Sequence, residues 1–165
     1  MHDKSDVAII GGGTIGCSIA YELSKRGVNC TLFEKERLAS GASGATAGMI
    51  GPIWYLDHEK EPYFDLGMRS FQMFPFLVEE LKEVGIDPEY QQTGAVKLVF
   101  DEQDDSFLLD DLQWQKELGI GVRWLDRQEL LEREPEITDK ALGAVFSPTD
   151  GSVKGTAFVK GLALA

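Results

Sequence analysis

The sequence predicts an α/β fold that opens with a Rossmann-like βαβ unit and continues into part of an α+β domain. Three observations predict it. Asp6 to Ile10 ends in four apolar residues and then Gly11, the pattern of a short buried strand. Thr14 to Arg26 carries Ile15, Ile19 and Leu23 at i, i+4 and i+8, one face of an amphipathic helix. Val28 to Phe33 is a second strand, ending at Glu34. Lys25 and Arg26 fall in the last turn of the helix, where positive charge suits the dipole, and Gly27 closes it.

The later elements follow in order. Residues 39–48 contain nothing larger than threonine. Pro62 to Val84 has a mostly helical pattern, in which Pro75 is expected to separate two helices or kink one. Thr93 to Phe100 alternates as a strand does. Asp101 to Leu118 reads as an amphipathic helix with Phe107, Leu108, Leu112 and Leu118 inward, and Val122 to Leu125 as a strand. Asp126, with Glu129 three residues on, predicts a capped short helix ending near Pro135. Leu142 to Ser147 reads as a strand and Thr156 to Ala165 as a helix.

The 165 residues are about one domain's length, and 43% of them are hydrophobic, a globular figure. The net charge of −12 argues against nucleic-acid binding, because phosphates would be repelled. Residues 101–136 hold twelve Asp/Glu against four Lys/Arg, which reads as a solvated helix face, with a docking surface for a basic partner as the alternative. Cys17 and Cys30 are the two cysteines, with no CxxC pattern, so no metal site is indicated and both read as small buried residues. The N-terminus has no signal-peptide pattern, and no apolar run approaches the ~18–20 residues that cross a bilayer. A reducing, cytoplasmic setting is the expectation.

Gly11-Gly12-Gly13-Thr14-Ile15-Gly16 fits GxGxxG, and it stands between an apolar strand and an amphipathic helix, the context the motif requires. Gly11 allows the tight turn, Gly13 lets backbone approach a pyrophosphate, and Gly16 lets helix and strand pack closely. The helix start offers N–H groups and partial positive charge to phosphates. Glu34 lies 18 residues after Gly16, where a carboxylate accepts hydrogen bonds from an adenosine ribose and disfavours a 2′-phosphate. The unit is therefore Rossmann-like, and the carboxylate argues against NADP as its ligand.

FAD and NAD share this unit, and the residues after Glu34 discriminate between them. An NAD dehydrogenase commonly enters another crossover helix. Here the small residues Ala39 to Gly48 follow, then Met49-Ile50-Gly51-Pro52. Such residues let backbone line an extended ligand, and Ser43 and Thr46 offer hydroxyls to phosphate or ribityl oxygens. A flexible loop is the alternative reading of the stretch.

Val7-Ala8-Ile9-Ile10 with its glycines, Leu32-Phe33-Glu34-Lys35 and Ala45-Thr46-Ala47-Gly48-Met49 resemble the D-amino-acid oxidase superfamily of flavoproteins, most closely its bacterial glycine oxidase group of the thiamine pathway. The resemblance continues through Gly94-Ala95-Val96-Lys97-Leu98, Glu129-Leu130-Leu131-Glu132-Arg133-Glu134-Pro135 and Asp150-Gly151-Ser152-Val153, and so covers the chain. It implies an FAD-binding unit with a flavin-contacting loop over 1–60, a helical segment over 61–84, a partial substrate or cap domain over 85–148, and a return to the FAD domain over 149–165.

By this resemblance Thr14 and Ile15 meet the pyrophosphate, and Glu34 and Lys35 hold the adenosine ribose. Ala42 and Ser43, then Ala47, Gly48 and Met49, contact the cofactor towards the flavin ring. Ala42 stands where a polar residue is expected, so its contact is through backbone, and Lys35 is long enough to point to solvent. Met49 and Gly51 are the nearest candidates for lining beside the ring, and no catalytic residue is assigned. Some relatives attach FAD covalently to a histidine that corresponds to Ala45 here. The two histidines, His2 and His58, do not fit that place, which implies non-covalent FAD.

The implied reaction oxidises a small amine or amino acid of the glycine or sarcosine type. Hydride passes to flavin N5, the imine hydrolyses, and oxygen reoxidises the flavin to give hydrogen peroxide. The resemblance also implies a homo-oligomer, and a fold that continues past Ala165. It gives the expectation of an N-terminal portion with an open sheet edge, weak FAD affinity and no turnover by itself. The alternatives are a flavin-dependent dehydrogenase subunit and a non-catalytic FAD-binding fragment completed by another chain.

Overall fold

The computed structural model describes residues 4–52, 63–101 and 112–165. The chain divides into two compact units. The first comprises Met1–Met49, Met73–Gln91 and Ser152–Ala165, and the second Ile50–Gln72 and Gln92–Gly151.

In the first unit, β1 (Val7–Ile10) pairs in parallel with β2 (Cys30–Phe33), Val7 opposite Cys30 and Ile10 opposite Phe33. Helix α1 (Thr14–Lys25) makes the crossover. A four-residue helix, α2 (Ala42–Ala45), and the two-residue strand β3 (Met49–Ile50) follow the small-residue stretch. The last helix, α6 (Gly155–Leu164), packs on α1 and α2. Cys17, Tyr21, Ala39, Leu81, Phe158, Val159 and Leu162 form the core. Phe74 stacks on Phe158 at 5.5 Å and on Tyr90 at 6.0 Å. At the rim the Tyr21 hydroxyl donates to the Glu80 carboxylate, which Lys25 also meets at 2.7 Å. Burial and the bond to Glu80 raise the Tyr21 phenol above its ordinary range.

Three sequence expectations change in this unit. Helix α1 buries Cys17 and Tyr21, whereas Ile15 is 78% and Ile19 46% exposed. The helix carries two apolar stripes, and the one with a small residue, Cys17, is the one that faces α6. Strand β1 buries Ile9 but leaves Ile10 90% exposed. Its sheet has two strands among the described residues, so β1 is covered on one side only. Cys17 is buried as expected, and Cys30 is half-buried because β2 is itself half-covered.

Helix α3 (Phe64–Glu83) contributes residues to both units. It runs through Pro75 as one helix, so of the two alternatives the separation into two helices does not hold. Proline removes a single ladder bond, and a helix held by tertiary packing, here at Val78 and Leu81, tolerates that loss.

The second unit holds an antiparallel sheet in the order β4-β6-β5, formed by Ala95–Val99, Gly143–Ser147 and Arg123–Asp126. The central strand β6 is the most buried, as its place between two partners requires. Leu125, Leu130, Ala141 and Ala144 form one cluster of this unit. Leu112, Trp114, Ile120, Val122 and Val145 form another, to which helical residues 112–117 (α4) contribute. Leu112 is buried and Leu118 half-buried, while Phe107 and Leu108 lie outside the described residues. Helix α5 (Arg127–Arg133) starts with the predicted capping box: Asp126 accepts from the Glu129 N–H at 2.9 Å, and Glu129 accepts from the Asp126 N–H at 3.2 Å. The Arg133 guanidinium lies 4.0 Å from the centre of the Phe146 ring. Strand β7 (Gly151–Ser152) precedes α6 in the chain. No helix among the described residues is long and apolar enough to cross a membrane.

Candidate nucleotide-binding site

The site begins where the β1 ladder ends. Gly11 donates its N–H to the Phe33 carbonyl at 2.8 Å, then turns the chain at φ +107°, a conformation that suits glycine. Five residues on, Gly16 packs against the same turn, and a Cβ on it would fall 2.0 Å from the Gly11 carbonyl oxygen. Two glycines thus place the start of α1 directly behind the strand end.

The first backbone bond at the head of this helix runs from the Cys17 N–H to the Gly13 carbonyl at 3.0 Å. The N–H groups of Thr14, Ile15 and Gly16 precede it and point out of the helix end. Thr14 donates to Ser43 Oγ at 2.9 Å. The first turn of α1 carries no acidic residue, so no carboxylate of the helix offsets the positive end of its dipole.

Glu34 closes the other side. Its Oε2 accepts the Gly12 N–H at 2.7 Å and its Oε1 the Glu36 N–H at 2.9 Å. These bonds, with that from Gly12 the largest influence, hold the carboxyl below the ordinary carboxylate range. An ionised carboxylate has about four lone-pair positions. Two serve the backbone here, which fixes the group's orientation and leaves acceptor capacity for the paired hydroxyls of a ribose.

The small-residue stretch wraps the glycine turn. Ala39 donates its N–H to the Gly12 carbonyl at 2.9 Å, and α2 then brings Ser43 over Thr14. Two adjoining concavities result. One, of about 590 Å³, is lined by β1, Gly11, Gly13, Thr14, Ile15, Gly16, Ile19 and Ser43. The other, of about 150 Å³, is lined by Gly12, Gly13, Glu34, Lys35 and Ala39 through Ser43. Gly13 and Ser43 line both.

The structure therefore gathers Gly11, Gly13, Thr14, Ile15, Gly16, Glu34, Lys35, Ala42 and Ser43 around one turn. Ala47, Gly48 and Met49 lie in the same unit but line neither concavity. Gly48 is fixed by the Val153 N–H, which donates to its carbonyl at 2.9 Å, and Met49 is 59% exposed. The Lys35 side chain is 86% exposed and pairs with Glu36 at 3.6 Å. The Thr46 hydroxyl is turned onto the Gly48 N–H at 3.0 Å. Gly51 belongs to the other unit. His2 and His58 lie outside the described residues.

Sequence reasoning missed Gly12 and Ala39. Gly12 fills a variable position of GxGxxG, and an alanine carries no signal for the backbone role that Ala39 plays. The donor set fits a dinucleotide: outward N–H groups at a helix start for phosphate, a glycine turn without side chains, and an oriented carboxylate for a ribose.

The chain matches the DAO family, FAD dependent oxidoreductase, over residues 6–165. It is 38% identical to a glycine oxidase of Geobacillus kaustophilus, over 100% of this chain and 44% of that protein. It is 35% identical to a glycine oxidase of Bacillus subtilis, over 93% of this chain and 40% of that protein. The crystal structure of the Geobacillus kaustophilus glycine oxidase superposes with a TM-score of 0.91 at 38% identity, covering 96% of this chain and 43% of that one. The chain thus spans less than half the length of these relatives.

Proposed function

The chain belongs to the DAO family of FAD-dependent oxidoreductases, and from that premise we propose that the glycine turn, Glu34 and the Ala39–Met49 stretch hold FAD without a covalent link. The activity we propose for the whole protein is oxidation of a small amine or amino acid, of the glycine or sarcosine type, by oxygen. The amine and oxygen give an imine and hydrogen peroxide, and the imine then hydrolyses.

The observation that carries this reading is the Glu34 carboxylate held on the Gly12 N–H, 2.7 Å away, at the mouth of the glycine turn. It places an oriented acceptor beside the phosphate-facing helix end, as an adenosine ribose requires. In the proposed roles, Ile15 and Gly16 meet the pyrophosphate through backbone N–H groups, and Thr14 meets it through the Ser43 hydroxyl that its N–H holds. Ser43 accepts from Thr14 and directs its own hydroxyl proton at a phosphate oxygen. Glu34 accepts from the ribose hydroxyls. Ala42 contributes backbone only, and Ala47, Gly48 and Met49 extend the contact towards the flavin. Bound FAD supplies the two-electron oxidant for the amine. Non-covalent attachment is supported by Ala45, which has no nucleophilic side chain, at the position where relatives with a covalent link carry histidine.

The test is the visible spectrum of the purified protein reconstituted with FAD, followed by acid precipitation. The proposal expects flavin absorbance that passes wholly into the supernatant. Colour that stays with the precipitate overturns the non-covalent reading. Oxygen uptake and peroxide release with glycine and sarcosine, measured on the protein over the length its relatives have, test the reaction.

A further inference from the structure

Ala39 opens the small-residue stretch with its backbone in the left-handed region, at φ +58°. That region is unfavourable for a residue with a Cβ, and alanine has no polar side chain to offset the strain. Such a residue persists only where its surroundings over-determine it.

Here three contacts do so. Ala39 is buried, at 8% exposure, in the core cluster with Cys17, Tyr21, Leu81 and Phe158. Its N–H donates to the Gly12 carbonyl at 2.9 Å. Its own carbonyl oxygen occupies the place a side chain on Gly44 would take, since a Cβ there would fall 2.0 Å away. Gly12 in turn donates to Glu34, and Ser43, the residue before Gly44, accepts from Thr14. One alanine therefore joins the carboxylate side of the site to its helix-end side.

We infer that Ala39 is a positioning residue of the nucleotide site: its left-handed backbone grips Gly12 with its N–H and seats Gly44 against its carbonyl, and so sets Ser43 Oγ on the Thr14 N–H beside the phosphates. This inference rests on the reading that the site binds FAD. The methyl anchors the grip in the core, and the positive φ aims it. Valine at this position would carry a branched Cβ into a region it disfavours, whereas glycine would keep the φ and lose only the anchor.

The test compares wild type with Ala39→Gly, Ala39→Val and Gly44→Ala. It uses amide hydrogen exchange of the apoprotein and titration of FAD by fluorescence quenching. Ala39→Val and Gly44→Ala are expected to speed exchange of the Thr14 N–H and to weaken FAD binding by about tenfold or more. Ala39→Gly is expected to stay within about threefold of wild type on both readouts. Variants that melt earlier yet keep wild-type exchange at Thr14 and wild-type FAD affinity would show a merely structural role and overturn the inference. If Ala39→Val does not fold, Gly44→Ala tests the same contact from its other side. The wild-type protein adds its own check, because an Ala39 N–H that exchanges at the free-peptide rate overturns the inference whatever the variants do. Failure of wild type to bind FAD strikes the underlying reading instead, and leaves the exchange at Thr14 and Ala39 to judge the positioning role.

Discussion

The Gly12 N–H donates to Glu34 Oε2 across 2.7 Å, joining the second residue of the glycine turn to the end of the second strand. The bond crosses the mouth of the candidate site, and the same carboxylate accepts from Glu36 with its other oxygen. Glu34→Gln keeps one carbonyl acceptor but sets an NH₂ against a backbone N–H and removes the charge. We expect FAD affinity to fall by roughly tenfold or more, as for loss of hydrogen bonds to a charged group. Fluorescence quenching of FAD measures it.

The same carboxyl predicts a pH dependence. Its pKa is held below 4.5 in the folded state, chiefly by the Gly12 N–H and next by that of Glu36. A lowered folded pKa means that the unfolded chain binds the proton more readily. The stabilisation is therefore present above about pH 4.5 and is lost as pH falls through the folded value. Urea midpoints between about pH 6 and 3 should fall in wild type and fall less in Glu34→Gln. Parallel curves for the two proteins would contradict the assignment.

Gly16→Ala places a methyl 2.0 Å from the Gly11 carbonyl oxygen and 3.3 Å from Ile9 Cγ2. Neither neighbour is the free end of a flexible chain, so the helix must move. The expected cost is about 1–3 kcal/mol, the range for overpacking, read as a lower thermal midpoint together with weaker FAD quenching.

Asp150 is a buried acid in the second unit, and its Oδ2 has no hydrogen-bond partner among the described residues. Burial raises its pKa above 3.8, against the smaller opposing effect of a bond from Ser147. The folded state therefore holds the proton more firmly than the unfolded chain does, and stability is lost as pH rises from about 3.8 through the folded value. Asp150→Asn removes the buried charge and should raise the thermal midpoint by a few degrees at pH 7. The gain should shrink towards pH 4. A lower midpoint for Asp150→Asn at pH 7 would show that the charged form is needed.

Asp126→Ala opens the capping box at the head of α5. The expected loss is about 1 kcal/mol of stability, with FAD quenching unchanged, because Asp126 lies in the other unit.

What was legible in the sequence was local or periodic in one way only. The Asp126–Glu129 box needs two side chains three residues apart, and it forms as read. Strand β4 and helix α6 follow their apolar patterns to within a residue or two at each end. The burial of α1 was not legible, because Ile15–Ile19 and Cys17–Tyr21 are both apolar stripes and periodicity does not say which one meets a partner. Pro75 looked like a break because local propensity ignores the packing that carries the helix through it. At the site, the glycine spacing and Glu34 announced the turn. The grip of Ala39 on Gly12 did not, since a left-handed alanine has no sequence signature and its partner lies 27 residues earlier in the chain.

The central claim is that the turn from Gly11 to Gly16, with Glu34, holds FAD. Titration of FAD fluorescence with the purified apoprotein, beside Glu34→Gln and with NADH as competitor, tests it most directly. The account predicts saturable quenching by wild type, clearly weaker quenching by Glu34→Gln and no displacement by excess NADH. Quenching that is absent, equal in the two proteins, or abolished by NADH would contradict it.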